Sequence, residues 1–550
     1  MFYNNYVMKY LLILIALIVS GSAATAQKIA GLLQSKEGAT DGLMLFAPLM
    51  SKTTYLIDDC GRVINTWQSE FQPGNTVYLL PNGNLFRTNR LANATITGGG
   101  GGGGMEILTW NSVKLWSYTI NSETQRQHHD AVILPNGNIV TIIWELKSEQ
   151  EALTEGRNPA QLADKVVWSE RIVELKPIFP DGAQIVWEWS LWDHLIQDFD
   201  QTKENYGVVE DHPELVNLNY TQTPTGTNDW VHANSIDYNP DLDQIVLSSP
   251  FLNEFWIIDH STTTAEAASH SGGDRGKGGD LLYRWGNPQA YKRGSAADRK
   301  LFGQHHVHWI AEGLPSEGSI MVFNNQHGEN HSTVDIINPS KDDQGEYTLE
   351  DGKFGPVDQD HVYEATPPES LNSPIMSSAE MLPNGNLLIC SSIQGQIFEV
   401  NTAEEIVWEY KSPVTTNGIV GRDLPADQPF ISDRNFRAIK YPRDFVGFTG
   451  KDLSPGEPIE GEPWPECAIP LAVEDNLKAM EMYPNPAEDK LYINHPDGSA
   501  HLSVKLLTAQ GIEIKSATGV GEIVLDISNV ASGVLIAVVN NTPHKIIKVK

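Results

Sequence analysis

Leu-Pro-Asn-Gly-Asn occurs three times in this chain, at Leu80 to Asn84, Leu134 to Asn138 and Leu382 to Asn386. Each copy sits between two short apolar stretches, such as Thr76-Val77-Tyr78-Leu79 before the first and Leu85-Phe86 after it. Asn-Gly between β-like runs is the strongest short-range hairpin signal, because both turn residues must accept a positive φ. Two degenerate copies fill the gaps: Tyr238 to Asp241 ahead of Gln244 to Leu247, and Gly313 to Gly318 ahead of Ile320 to Phe323. A second repeat alternates with the first: an apolar strand, a polar turn, then a strand ending in Trp. It is clear at Trp67, Trp116, Trp187-Glu188-Trp189, Trp285 and Trp408, and weaker near Val362-Tyr363. Pairing the two repeats predicts units of two hairpins each, with the chain ends supplying the missing strands. Four-stranded units repeated without intervening helices predict an all-β chain, a six-bladed β-propeller over residues 27–450.

The rest of the 550 residues fits around that unit. Acidic residues outnumber basic ones 70 to 38, a formal charge of −32, which argues against nucleic acid and anionic membrane surfaces as partners. Lys9, the apolar run Leu11 to Val19 and Ala24-Thr25-Ala26 read as a signal peptide over residues 1–26, cut before Gln27. The run is short for a membrane span. The three cysteines, Cys60, Cys390 and Cys467, then face an oxidising space, where at most one intramolecular pair can form. Which two pair is open, although Cys390 lies mid-strand and reads as core. Seven consecutive glycines, Gly98 to Gly104, read as a flexible loop, since no Lys-Ser/Thr follows to make a phosphate site. The insertion from Glu188 to Tyr206 reads as a short rim helix. Asp241-Leu242-Asp243 lacks the spacing of an EF-hand and reads as a turn, so calcium is unsupported.

Residues 451–475 hold five prolines and five glutamates and read as a linker. From 476 to 550, short alternating runs such as Leu502 to Leu507 and Val534 to Val539 predict a small antiparallel β-sandwich. This tail resembles the C-terminal sorting domain of the type IX secretion system of Gram-negative bacteria. The matching residues are Tyr483-Pro484-Asn485-Pro486-Ala487, Ala509-Gln510-Gly511, Ser532-Gly533-Val534 and Lys545 to Lys550. The resemblance implies export through the periplasm and outer membrane by that machinery, ending in secretion or surface attachment.

Histidines carry the chemical signal. His128-His129-Asp130, Trp230-Val231-His232-Ala233-Asn234 and Gly303-Gln304-His305-His306 each precede or open the first strand of a unit. First strands line a propeller's central channel, so His129, His232 and His305 are expected to converge there. Strand alternation sends His306 and His308 to the face opposite His305. Clustered imidazoles can bind an anion, bind a metal or act as a nucleophile. No G-x-S-x-G elbow, H-E-x-x-H or Walker loop competes.

The propeller, the entry histidines and the phrase Trp230 to Asn239 look like the bacterial arylsulfotransferases. The resemblance spans roughly residues 40 to 450. It implies transfer of a sulfuryl group from an aryl sulfate donor to a phenolic acceptor through a sulfated histidine, with no nucleotide donor and no cofactor. Carried over by motif, His129 and His232 match the first two site histidines and His305 the nucleophile. Several members carry an arginine that grips the sulfate where this chain reads Leu247-Ser248-Ser249-Pro250. His128, His306, Arg90 and Arg284 are the candidates to replace it. Rival readings are a non-catalytic binding propeller and a metal-dependent hydrolase using the three histidines, though no metal is expected.

Overall fold

A computed structural model of the chain describes residues 30–162, 164–221, 228–422, 431–461 and 467, and most of 481–549. The signal peptide and its cleavage point lie outside the described residues. The chain divides into two compact units, Met1–Trp464 and Pro465–Lys550.

Among the described residues the first unit holds six antiparallel sheets of four or five strands, with three two-stranded pairs beside them. We number the first strand of each sheet in chain order: β1 (Pro73–Leu79), β2 (Gln125–Ile133), β3 (Ser235–Asn239), β4 (His305–Trp309), β5 (Ser378–Met381) and β6 (Asn435–Tyr441). These six touch in a closed cycle, β1 to β2 to β3 to β4 to β5 to β6 and back to β1. The chain ends close the ring. The strand β6, late in the chain, leads the sheet formed by Leu43–Pro48, Thr53–Asp58 and Val63–Gln68. Gly31–Ser35 is added as a fifth strand to the sheet led by β5, pairing with Ile406–Lys411.

The two sequence repeats have separate physical jobs. In all three Leu-Pro-Asn-Gly-Asn copies the Leu N–H donates to the second Asn carbonyl, and the Gly N–H donates back to the Leu carbonyl. Only the Gly, at φ near +80°, is left-handed; the Asn before it is not. The hairpins are therefore three-residue loops rather than the expected two-residue Asn-Gly turns. The second Asn N–H is held by the first Asn side chain in each copy, at 2.8–3.1 Å. The Trp repeat ties sheet to sheet. The indole N–H of Trp116 donates to Gly182 O, Trp189 to Gly279 O, Trp285 to Pro356 O and Trp408 to Asp59 O, at 2.7–2.8 Å. Each bond reaches from the fourth strand of one sheet, counted from its first strand, to the backbone of the next. A buried Trp there both fills the wedge between sheets and satisfies its own donor.

Cys390 is a buried free thiol pushed up to about 12 by burial, as its mid-strand position suggested. The insertion after Ser190 is a 3-10 turn, Leu191–Asp193, and not a rim helix. The second unit has one sheet of Glu481–Tyr483, Lys490–Asn494 and Glu522–Asp526, and another of four strands between His501 and Lys548. Leu491, Leu502, Val504, Leu506, Leu525 and Leu535 share their core.

Candidate functional site

A cavity of about 780 Å3 opens where the first strands begin, and His129, His232 and His305 all line it. They come from three successive sheets. His129 and His232 face each other edge-on with ring centres 4.7 Å apart. Phe436 on β6 lies 6.2 Å from the His129 ring and 6.5 Å from the His305 ring.

Local backbone irregularity aims these side chains. Pairing of β2 with its neighbour slips between Ala131 and His128, so His129 and Asp130 are bulged out of the ladder. β4 slips in the same way between His305 and His308. His129 and His232 hold φ values of +46° and +56°, uncommon for residues with a side chain. The glycine run proves to be packing rather than free loop. The His129 N–H donates to Gly100 O at 2.8 Å, and a Cβ on Gly100 would stand 1.9 Å from His129 Nε2. Gly99 and Gly100 line the cavity themselves.

The three imidazoles differ in charge and tautomer. Asn325 donates its two amide hydrogens to Ser373 O and Met376 O, both at 2.7 Å. Carbonyls only accept, so Asn325 Oδ1 must accept from His305 Nδ1–H, at 2.9 Å. His305 Nε2 therefore carries the lone pair, touched by the Met376 N–H at 3.2 Å. Burial lowers His305 to about 4, so the ring is neutral at pH 7. His232 is the opposite case. Burial opposes its charge, but Asp229 Oδ2, 2.5 Å from Nδ1, outweighs burial and holds the imidazolium above the ordinary histidine range. Phe251 stacks on the His232 ring at 4.4 Å.

His129 stands at the end of a buried relay. Its Nδ1 is 2.9 Å from His128 Nδ1, and His128 Nε2 is 2.9 Å from Glu170 Oε2. Glu170 Oε1 accepts the Ala233 N–H, and His128 stacks on Trp144 at 3.8 Å. Burial raises Glu170 well above the carboxylate range and holds both histidines well below theirs. With Glu170 protonated, the proton chain runs from Glu170 to His128 to His129 and leaves His129 Nε2 carrying a hydrogen; with Glu170 ionised it runs in the opposite sense.

The other expected anion ligands are placed elsewhere. His128 is the wall residue just described and does not line the cavity. His306 donates Nδ1–H to Ala379 O, stacks on His308 at 4.2 Å, and lines a second cavity of about 390 Å3 with Arg437, Asp237 and Glu380. Arg284 lies on an outer strand, buried and bound to both oxygens of Glu254. It is held there because a guanidinium in the core needs a carboxylate partner. Of the sequence candidates only Arg90 reaches the cavity, where Arg299 and Arg434 join it. Among the described residues none of these three arginines forms an ion pair. Pro250 also lines the cavity. Asn325, Glu170, Arg299 and Arg434 carried no motif, and only their spatial neighbours reveal them.

The arylsulfotransferase (ASST) family model matches residues 31–417, more than half of the chain. The chain belongs to the arylsulfotransferase family. Residues 481–549 match the secretion system C-terminal sorting domain, which marks the chain for export by the type IX machinery. No curated protein matches the chain. Among solved structures, a protein of unknown function from Bacteroides caccae is 12% identical, covering 67% of this chain and 93% of its own, with a TM-score of 0.36. Virginiamycin B lyase from Staphylococcus aureus is 11% identical, covering 70% of this chain and 88% of its own, with a TM-score of 0.31. A streptogramin B lyase is 12% identical, covering 72% and 86%, with a TM-score of 0.34.

Proposed function

We propose that this chain is an exported aryl-sulfate sulfotransferase that works through a sulfohistidine on His305, in the cavity of a six-bladed propeller. The observation that carries the reading is the placing in one cavity of His305, its lone pair on Nε2 set by Asn325, with His232, whose proton affinity Asp229 raises. His305 Nε2 attacks the sulfur of the donor. The S–O bond to the aryl group breaks, and the departing phenolate takes the His232 proton. An acceptor phenol then attacks the same sulfur, the N–S bond breaks, and the phenol's proton returns to His232. His129 Nε2–H and the cavity arginines hold the sulfuryl oxygens, in place of the arginine absent at Pro250. Residues 1–26 serve as the signal peptide and 476–550 as the sorting tail, joined to the propeller by the 451–475 linker.

The test is release of nitrophenol from nitrophenyl sulfate by purified protein, with and without a phenol acceptor. Acceptor-dependent release, a sulfuryl adduct on His305 after quenching with donor alone, and a loss of roughly 10³-fold or more in His305→Ala are the expected results. Acceptor-independent release would favour a hydrolase. No turnover of any aryl sulfate would favour a binding propeller.

A further inference from the structure

Outside the lining of the histidine cavity, three potential metal ligands converge. His194 Nδ1 is 2.8 Å and His270 Nδ1 is 2.7 Å from the same oxygen, Asp280 Oδ1. All three atoms lie within 4.8 Å of one another.

The second nitrogen of His194 decides what the first can do. Nε2 is 2.8 Å from Ala267 O. A carbonyl only accepts, so Nε2 carries the proton, and in the neutral ring Nδ1 presents a lone pair to a carboxylate oxygen. Two acceptors held face to face are reconciled either by a second proton on Nδ1 or by a metal ion between them, and the second imidazole on the same oxygen favours the metal. A backbone carbonyl on the outer nitrogen is the usual support for a metal-bound imidazole. The ring cannot turn away: His194 is fully buried and lies parallel to Trp189, 5.5 Å between centres.

The chain around Asp280 is shaped to this approach. A Cβ on Gly279 would stand 2.0 Å from Ala267 O and 2.5 Å from His194 Nε2, so only glycine lets Asp280 pass beneath the ring. Gly279 O accepts the Trp189 indole N–H and its N–H donates to Ser269 O, which fixes the loop that starts at His270. His270 itself is exposed, with 62% of its side chain accessible, so the remaining coordination positions open to water.

We propose that His194 Nδ1, His270 Nδ1 and Asp280 Oδ1 bind one divalent late first-row transition metal, with zinc the best fit. Two imidazoles and one carboxylate suit zinc, whereas calcium prefers a shell of oxygens. Ligand atoms around zinc stand about 3.3 Å apart, so each nitrogen needs to move out from Asp280 Oδ1 by roughly half an ångström to admit the ion. The site's role is structural. His194 follows the outer strand Gly182–Ser190 of one sheet, and Asp280 precedes the outer strand Tyr283–Trp285 of the next. A shared ion clamps these neighbouring outer edges where Trp189 already bridges them. None of the three residues lines the histidine cavity.

The experiment uses untagged, EDTA-stripped full-length protein. Zinc is titrated by calorimetry and cobalt(II) by visible absorption, on wild type, His270→Ala, Asp280→Asn and His305→Ala. His270 is exposed, so its variant should fold, as circular dichroism would check. The expected result is one equivalent of metal bound by wild type and by His305→Ala, with affinity reduced at least about tenfold in the other two. Zinc should raise the unfolding temperature of wild type but not of His270→Ala, and nitrophenyl sulfate turnover should be unchanged in His270→Ala. No stoichiometric binding, binding undiminished in both His270→Ala and Asp280→Asn, or binding lost in His305→Ala would overturn the site. Loss of turnover alone would bear on the cavity and not on the metal.

Discussion

Asp130 and Arg437 form a fully buried ion pair 2.7 Å long, one residue from His129. Asp130 also accepts the Thr76 hydroxyl at 2.6 Å and the Ile236 N–H at 3.2 Å. Thr76 is on β1, Ile236 on β3 and Arg437 on β6, so the one carboxylate beside the site ties four of the six first strands together. The pair also joins the ring's closing strand to its interior.

Asp130→Asn should therefore act on stability before chemistry. It leaves Arg437 buried without its counterion, which typically costs about 3–5 kcal/mol. Asp130→Asn with Arg437→Met should recover part of that loss, because no lone charge remains. Urea unfolding of the three proteins checks this. Equal stability of Asp130→Asn and wild type would mean that Arg437 finds other partners, for instance Tyr78, whose hydroxyl its Nη1 already touches.

Much of this fold was legible in the sequence because each sheet repeats a local device. The Leu-Pro-Asn-Gly-Asn turns fix hairpins within themselves, and the Trp strands fix the outer edges. The entry histidines were legible for the same reason: His129 and His305 sit at equivalent places in a repeat. What was hidden depends on partners distant in the chain. Glu170 meets His128 across 42 residues, and Asn325 sets the His305 tautomer from a neighbouring strand. Arg284 reads as a free cation in the sequence, whereas Glu254, 30 residues away, holds it in the fold. The glycine run looked like slack because its reason lies in another strand, where His129 leaves no room for a Cβ.

The opposite charge states of His305 and His232 predict a bell-shaped dependence of kcat/KM on pH. The acid limb should fall near pH 4, where His305 takes up a proton and loses its nucleophilic lone pair. The alkaline limb should lie above the usual histidine value of about 6.5, because Asp229 raises His232. Asp229→Asn removes the raising partner and leaves burial to dominate, so the alkaline limb should move to lower pH. The sign for stability follows: a raised histidine stabilises the fold fully below its unfolded pKa, and that contribution is lost as pH rises through the folded one. An alkaline limb that does not move in Asp229→Asn would remove His232 from the acid role.

Three arginines without carboxylate partners among the described residues predict where the sulfate is gripped. Arg299 is half-buried, with its guanidinium 4.5 Å from the centre of the Phe302 ring and its Nε unpaired. Arg90 and Arg434 are exposed. Arg299→Ala should raise KM for nitrophenyl sulfate by about 10- to 100-fold, the loss expected for a charged hydrogen bond of ~1.5–3 kcal/mol. Arg90→Ala and Arg434→Ala should cost less than about tenfold, as exposed and more strongly screened charges. If all three single variants keep the wild-type KM, the histidines alone hold the anion.

Glu170 offers a test of the relay that a simple structural role does not pass. Its Oε1 accepts the Ala233 N–H, so in Glu170→Gln the amide oxygen should take that place and the amide N–H should face His128 Nε2. That arrangement copies a protonated glutamic acid. His128 Nδ1–H then donates to His129 Nδ1, and His129 Nε2–H is fixed as a donor into the cavity. Glu170→Gln should therefore keep transfer within about tenfold of wild type and weaken any pH dependence contributed by this carboxyl. Glu170→Ala leaves His128 without its partner and frees both tautomers, and should lose about 10²-fold or more, as removal of one oriented donor does. The comparison is read from kcat with saturating donor and acceptor, with folded fractions matched by circular dichroism. If Glu170→Gln falls as far as Glu170→Ala, then His129 must accept a proton rather than donate one, and the relay runs in the opposite sense.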